Sequence, residues 1–146
     1  MRSRLLIPPL LLGMLTLASS VIANETSLVV AIHVSAGVET LTRDQVINIF
    51  LGRFRQLPNG HLAIPIDQDS DHPIRAEFYR RLVGKNPAEI HAYWARLIFS
   101  GKTTPPREAE SEEQIIQWLM TEPGAIGYLP ADRLREPLKA VFTLDP

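Results

Sequence analysis

Residues 41–66 read LTRDQVINIFLGRFRQLPNGHLAIPI, and this stretch contains the signals for a helix followed by a strand. Thr42 and Gln45 have the spacing of a capping box, in which each side chain accepts a hydrogen bond from the other residue's backbone N–H. Apolar residues then recur at helical spacing as far as Gly52, a residue typical of a helix end. A Pro-Asn-Gly turn follows, and the apolar run at 62–66 predicts a strand.

The rest of the chain continues this alternation. Ahead of the helix, LVVAIH at Leu28–His33 is a continuous apolar run, which predicts a strand buried on both faces. Beyond the second strand, the sequence predicts three helices and two strands, with helix starts near residue 72, at Asn86 and at a second capping box of Ser111 and Gln114, and strands at 124–128 and 139–144. The order β-α-β-α-α-α-β-β predicts an α/β domain with a small mixed or mostly parallel sheet flanked by helices.

The amino-terminal residues have the three-part pattern of a secretory signal peptide. Arginines provide positive charge, an apolar run covers residues 5–18, and small residues precede a cleavage site after Ala23. The apolar run is shorter than the roughly 20 residues that a membrane-spanning helix needs. We therefore expect a periplasmic protein, with residues 1–23 as signal peptide, residues 24–146 as a single domain, and no membrane insertion after cleavage.

Composition argues against several classes of function. The formal net charge is −1 and no basic stripe runs along a predicted element, so no nucleic-acid partner is expected. The chain has no cysteine, which excludes disulfides and thiolate nucleophiles. No serine lies in a G-x-S-x-G elbow, and the histidines show no metal-ligand spacing. We expect no catalytic residue, no metal and no cofactor.

Three stretches of the sequence resemble one known family. They are LTRDQVINIFLGRFRQLPNG at 41–60, IPIDQDSDHPIRAEFYRRLVG at 64–84 and YWARLIFSGKTTPPREAESEEQIIQWLMTEPGAIGYLP at 93–130. These stretches are similar to the substrate-binding proteins of phosphate ABC transporters, which are type 2 periplasmic binding proteins. IFLG and EPGAIGY are the most specific pieces. The resemblance implies a short, truncated member of this family, which binds a small phosphate-like anion without reacting it.

The resemblance also implies where the anion binds. The family wraps its anion with a glycine- and hydroxyl-rich loop ahead of a helix, and the corresponding stretch here is DQDSDHPIR at 67–75. Ser70, His72 and Arg75 would be the donors, at a helix start whose free amides and dipole favour negative charge. Ser35, after the first strand, is a weaker candidate. The aspartates of this stretch disfavour a divalent anion, so weak binding is expected.

Two other hypotheses stay open from the sequence. In the first, the domain binds no ligand and docks on a membrane transporter or sensor in the periplasm. In the second, the alternating Asp67, Asp69 and Asp71 form a loose cation site, although the glycine and glutamate of a calcium loop are missing from their positions. Helical spacing predicts Tyr93 and Trp94 as core aromatics, although they could also line a pocket.

Overall fold

The computed structural model describes residues 26–146, so the predicted signal peptide lies outside the described residues. These residues form a five-stranded sheet and four helices. In chain order the elements are β1 (Leu28–His33), α1 (Arg43–Phe50), β2 (Ile64–Gln68), α2 (Pro73–Val83), α3 (Pro87–Phe99), β3 (Arg107–Ala109), α4 (Glu112–Thr121), β4 (Ala125–Pro130) and β5 (Leu138–Leu144). None of the helices in the described part is long and apolar enough to cross a membrane.

The sheet is mixed, with the strand order β3-β2-β4-β1-β5. β2 runs parallel to β3 and to β4, whereas β1 runs antiparallel to both of its neighbours, β4 and β5. The predicted α/β fold with a mixed sheet flanked by helices is confirmed. β1 is the strand that the apolar run predicted, and its residues are buried from Leu28 to Ile32.

The helix starts largely follow the predicted capping pattern. At α1, the Thr42 hydroxyl accepts from the N–H of Gln45 at 3.2 Å, and Gln45 Oε1 accepts from the N–H of Thr42 at 2.8 Å. α3 begins with the same reciprocal pair. At α4 the predicted box is wrong in one half. Ser111 Oγ accepts from the N–H of Gln114, but Gln114 Oε1 accepts from the N–H of Glu110 and not from that of Ser111, whose backbone is fully extended.

Two strands differ from the prediction. β2 continues beyond residue 66, so Asp67 and Gln68 are buried strand residues and not loop residues. β3 was not predicted, because it has three residues of which Arg107 and Glu108 are charged and exposed. It forms through pairing with the parallel strand β2, a long-range interaction that local sequence does not encode.

The sheet separates two hydrophobic cores. α1, α2 and α3 cover one face, where the ring of Phe78 stacks on that of Tyr128 with centroids 3.7 Å apart and meets Phe50 edge-on at 4.9 Å. Such pairs contribute about 0.5–1.5 kcal/mol each beyond their buried area. α4 covers the other face through Ile115 and Leu119. This packing fixes the carboxyl end of β2, from which a short loop leads into α2.

Candidate functional site

A cleft of about 420 Å³ opens between the loop before α2 and one side of α3. It combines a few polar residues with an apolar surface that α3 supplies. The lining residues are Ser70, Arg75, His91, Trp94, Ala95, Ile98, Phe99, Pro105 and Glu108. A concave apolar surface with a small number of polar groups is the usual character of a small-molecule site.

The loop before α2 is ordered by its own side chains. Asp69 Oδ1 accepts from the N–H of Asp71 at 3.0 Å, and His72 Nδ1 accepts from the N–H of Ile74 at 3.2 Å. His72 is therefore the N-cap of α2, and Pro73 occupies the first helical position, where its missing N–H costs nothing. The predicted helix start is confirmed. The imidazole of His72 has a structural task, and His72 does not line the cleft.

Arg75 rests on a buried carboxylate. Its Nε donates to Asp67 Oδ2 at 3.1 Å, and the two side chains are 10% and 1% exposed. Asp67 also accepts from the N–H of Gln68 at 2.9 Å, from the hydroxyl of Tyr79 at 2.7 Å and from the hydroxyl of Tyr128. A buried charge is tolerated when it is paired and fully hydrogen-bonded, and this carboxylate meets both conditions.

The pKa shifts in this network follow from burial and from Asp67. Burial raises the pKa of the Tyr79 and Tyr128 hydroxyls well above their ordinary value, and the negative charge of Asp67 raises it further. Burial is the largest single effect on Arg75 and opposes its charged form, but the charge of Asp67, the hydrogen bond to it and the two tyrosine hydroxyls together outweigh burial, so the guanidinium pKa is raised. Arg75 is a fixed cation and both tyrosines remain donors.

Arg75 uses only part of its hydrogen-bonding capacity on Asp67. A guanidinium offers five N–H donors in a planar fork. Within residues 26–146, Nε donates to Asp67 and neither Nη nitrogen donates a hydrogen bond. Because Arg75 lines the cleft together with Ser70, these donors are available to a ligand there.

Trp94 also lines the cleft. It is 5% exposed, and its Nε1–H is buried without an acceptor in the described part of the chain. The far end of its ring lies against Gly52, where φ is +68° and an added Cβ would be 2.9 Å from Cη2 of Trp94. The glycine of the IFLG motif thus ends α1 and leaves room for the indole.

The structure separates Ser35 from the other candidate donors. Ser35 lines a different pocket with His33 and His61, and its Oγ lies 2.7 Å from Nδ1 of His33. The reason is the direction of β1. Since β1 is antiparallel to β4 while β2 is parallel to β4, the carboxyl end of β1 lies at the end of the sheet where β2 begins. The cleft lies beyond the opposite end, after Gln68.

Two polar residues of the cleft, His91 and Glu108, were not among the predicted site residues. His91 lies on α3 one turn before Trp94 and Ala95, so the helical spacing that predicted an inward face carried the signal for it. Glu108 lies on the unpredicted strand β3, directly opposite Asp67 in the register. Its position depends on that pairing, and no local signal indicates it.

The loose cation site is not formed by the three alternating aspartates. Asp67 is in β2 with its carboxylate bound to Arg75, Tyr79 and Tyr128, whereas Asp69 and Asp71 are exposed loop residues. Within residues 26–146, no cluster of histidine and acidic side chains has the geometry to hold a metal ion.

Comparison with known proteins supports the fold. The fold resembles part of a phosphate-binding transport protein. An ABC-type phosphate transport receptor from Vibrio cholerae superposes with a TM-score of 0.63 at 13% identity, over 80% of this chain and 45% of that chain. A putative phosphate ABC transporter substrate-binding protein with bound phosphate, from Clostridium perfringens, superposes with a TM-score of 0.62 at 15% identity and the same coverage.

These comparisons bear on fold alone. The chain spans less than half the length of either matched protein. No family model matches the sequence, and no curated protein matches it. The predicted resemblance to a phosphate ABC transporter binding protein is confirmed as a structural similarity, and both matched proteins are named for binding or transport.

Proposed function

We propose that this chain is an exported solute-binding domain that holds a small anion, such as phosphate or a carboxylate, in the cleft of Ser70, Arg75 and His91, for transport or sensing. The single observation that carries the proposal is the state of Arg75. It is a nearly buried cation that lines a cleft with its Nη donors unused by the described residues. A planar guanidinium is well suited to an oxyanion or a carboxylate.

Two further features support an anion at this position. The cleft lies beside the amino end of α2, an 11-residue helix whose dipole favours negative charge nearby. Ser70, in the loop that leads into this helix, adds a hydroxyl donor. The cleft is therefore equipped for recognition through hydrogen-bond donors.

The same geometry sets a limit on affinity. Asp67 already neutralises Arg75, and Glu108 adds a carboxylate to the cleft lining. A carboxylate at about 4 Å from an anionic ligand costs on the order of 4 kcal/mol at an effective dielectric constant of 20. Binding of a divalent anion is expected to be weak, and a monovalent anion with an apolar body fits the α3 surface better.

Calorimetric titration of the purified mature domain with phosphate, sulfate and small carboxylates tests this function. Ser70→Ala and His91→Gln should each weaken binding by about 10- to 100-fold, the range for one hydrogen bond to a charged group. His61→Gln is the matched control, because His61 lines another pocket. No heat from any anion with a folded protein would overturn the proposal, as would equal losses in the control.

One observation favours docking on a membrane transporter or sensor as a second candidate function. Phe99 is 96% exposed and Ile98 is 54% exposed, and both lie in the last turn of α3 at the edge of the cleft. Adjacent exposed apolar residues of this size are typical of an interaction surface. Capture of a membrane protein by the wild type, lost in Phe99→Ser and kept in His61→Gln, would support docking; equal capture by both variants would contradict it.

A further inference from the structure

Arg55 connects two segments of the chain on the far side of the cleft wall. It follows α1, and its Nη1 donates to Thr104 Oγ1 at 3.3 Å while Nη2 donates to the Thr104 carbonyl. The third nitrogen, Nε, is buried and has no acceptor within residues 26–146. A buried N–H without a partner is uncommon in folded proteins and points to a missing acceptor.

The charge of Arg55 is also unbalanced. No carboxylate of the described residues pairs with it, whereas Arg75, Arg107 and Arg133 each have an acidic partner. Burial lowers the pKa of Arg55, and no nearby negative charge offsets this effect. Arginine nevertheless stays protonated in proteins, so Arg55 is a fixed cation that lacks a counter-charge.

A second guanidinium shares a pocket with this cation. The pocket has a volume of about 280 Å³ and is lined by Arg55, Leu62, Ala63, Ile64, Pro65, Thr104, Pro105, Pro106 and Arg107. None of these residues is acidic. Arg107 is held in place by Glu122, whose oxygens accept from Nη1 at 2.8 and 2.9 Å, and by the ring of Trp118, 3.4 Å below the guanidinium.

We propose that the pocket between Arg55 and Arg107 is a second anion site, which binds a tetrahedral oxyanion or a carboxylate group. The anion supplies the negative charge that Arg55 lacks, and the Nη hydrogens that Thr104 does not use remain to be donated to it. Thr104 Oγ1 accepts from Arg55, so its own hydroxyl hydrogen remains to be donated to the ligand. The volume is several times the about 30 Å³ occupied by one water, which leaves room for an oxyanion.

This site is separate from the cleft of Ser70 and Arg75. The two share only Pro105 among their lining residues, so the segment at 104–106 forms the wall between them. The second site therefore neither requires nor follows from solute binding in the first.

Amide-resolved NMR titration of the described domain with inorganic phosphate, sulfate and acetate in separate arms tests the proposal. We expect saturable shifts at Ala63, Thr104 and Arg107. Arg55→Gln should weaken this binding by about 10- to 100-fold, as for a hydrogen bond to a charged group, while Arg53→Gln should not. Arg53 is the matched control because it is an exposed arginine that does not line the pocket.

The three anions and the variants together distinguish the possible results of the titration. Shifts caused by phosphate or sulfate identify an oxyanion ligand, and shifts caused by acetate alone identify a carboxylate ligand; both support the site. Ser70→Ala should leave these shifts unchanged while affecting those of the cleft, so the two proposals fail independently. Shifts confined to the cleft, no shifts at all, or shifts that persist in a folded Arg55→Gln protein would overturn the second site.

Discussion

Arg75 and Arg55 are two partly or nearly buried arginines in very different surroundings. Arg75 meets a carboxylate that four groups hydrogen-bond, whereas Arg55 meets a threonine and no acid in the described residues. The first arrangement is complete as a structural element, and its remaining donors lie at a cleft. The second is incomplete without a ligand. The comparison teaches that burial alone does not mark a binding residue; donors or charge that the described residues leave unused do.

Among the substitutions, Asp67→Asn should have the largest effect on the free energy of unfolding. It removes the charge that balances Arg75 and leaves a buried cation unpaired, which costs about 3–5 kcal/mol. Urea denaturation should show this loss in the free energy of unfolding. Asp69→Asn is the control, because Asp69 is exposed and an amide oxygen can still accept from the N–H of Asp71. Equal effects of the two substitutions would contradict the account.

Tyr79→Phe tests one donor of the same network. The substitution deletes the hydroxyl that donates to Asp67 at 2.7 Å and leaves a buried carboxylate with one acceptor site empty. The expected loss is about 1–3 kcal/mol of unfolding free energy. Tyr93→Phe, which deletes a hydroxyl bonded to the Leu51 carbonyl in a half-buried position, should cost less. The reverse order would show that Asp67 does not depend on its hydroxyl donors.

Arg55→Met tests the arginine that has no acidic partner among the described residues. It removes a cation that has no counter-charge, together with its bonds to Thr104, so the unfolding free energy should change by less than about 1 kcal/mol in either direction. Arg75→Met, by contrast, leaves the buried carboxylate of Asp67 without its cation and should lower the unfolding free energy by as much as Asp67→Asn. Chemical denaturation of both variants in anion-free buffer is the measurement. A large loss in Arg55→Met would mean that the guanidinium is structural.

Glu77 is a partly exposed residue, and its ion pair should have the smallest effect on stability. The hydrogen bond from Arg80, with help from Arg81, lowers the pKa of Glu77 to about 2 from 4.5. Since the folded pKa is the lower one, the stabilisation is present above about pH 4.5 and is lost as the pH falls towards 2. Solvent screening limits it to about 0.5–1 kcal/mol.

Glu77→Gln should therefore reduce the stability at pH 6 by this small amount and flatten its decline between pH 4.5 and 2. Denaturation midpoints across that pH range check the result. Glu110→Gln is the control, since Glu110 is exposed and forms no ion pair within residues 26–146. If both variants keep the wild-type pH profile, the Glu77 pair contributes nothing to stability.

The sequence predicted the fold better than it predicted the site. Caps, apolar runs and glycines act locally, and so the helix starts at Thr42 and Asn86 are where the sequence indicates. Site residues come together through strand direction and pairing, which act over long distances. Ser35 was predicted as a weaker donor beside Ser70 from its place after the first strand, and the antiparallel direction of β1 separates the two residues. Glu108 was missed with its strand.

The surroundings of Asp67 and Arg55 could not be predicted from the sequence for the same reason. Asp67 reads as part of a polar loop beside other aspartates, and only the extended β2 shows that it faces Tyr79 and Tyr128. Nothing in the sequence around Arg55 distinguishes it from a nearby exposed arginine such as Arg53. Arg55 has no carboxylate partner among the described residues, and the sequence alone does not show which acidic residues come near it in the fold.

The position of β1 has a consequence for how the chain assembles. β1 is the first strand of the described chain, yet it is enclosed by the last two, and Leu28 pairs with both Pro130 and Leu144. β1 is thus paired on both edges only when distant parts of the polypeptide meet, and such long-range pairing slows folding. A nascent polypeptide that stops before Leu138 carries β1 with one edge open.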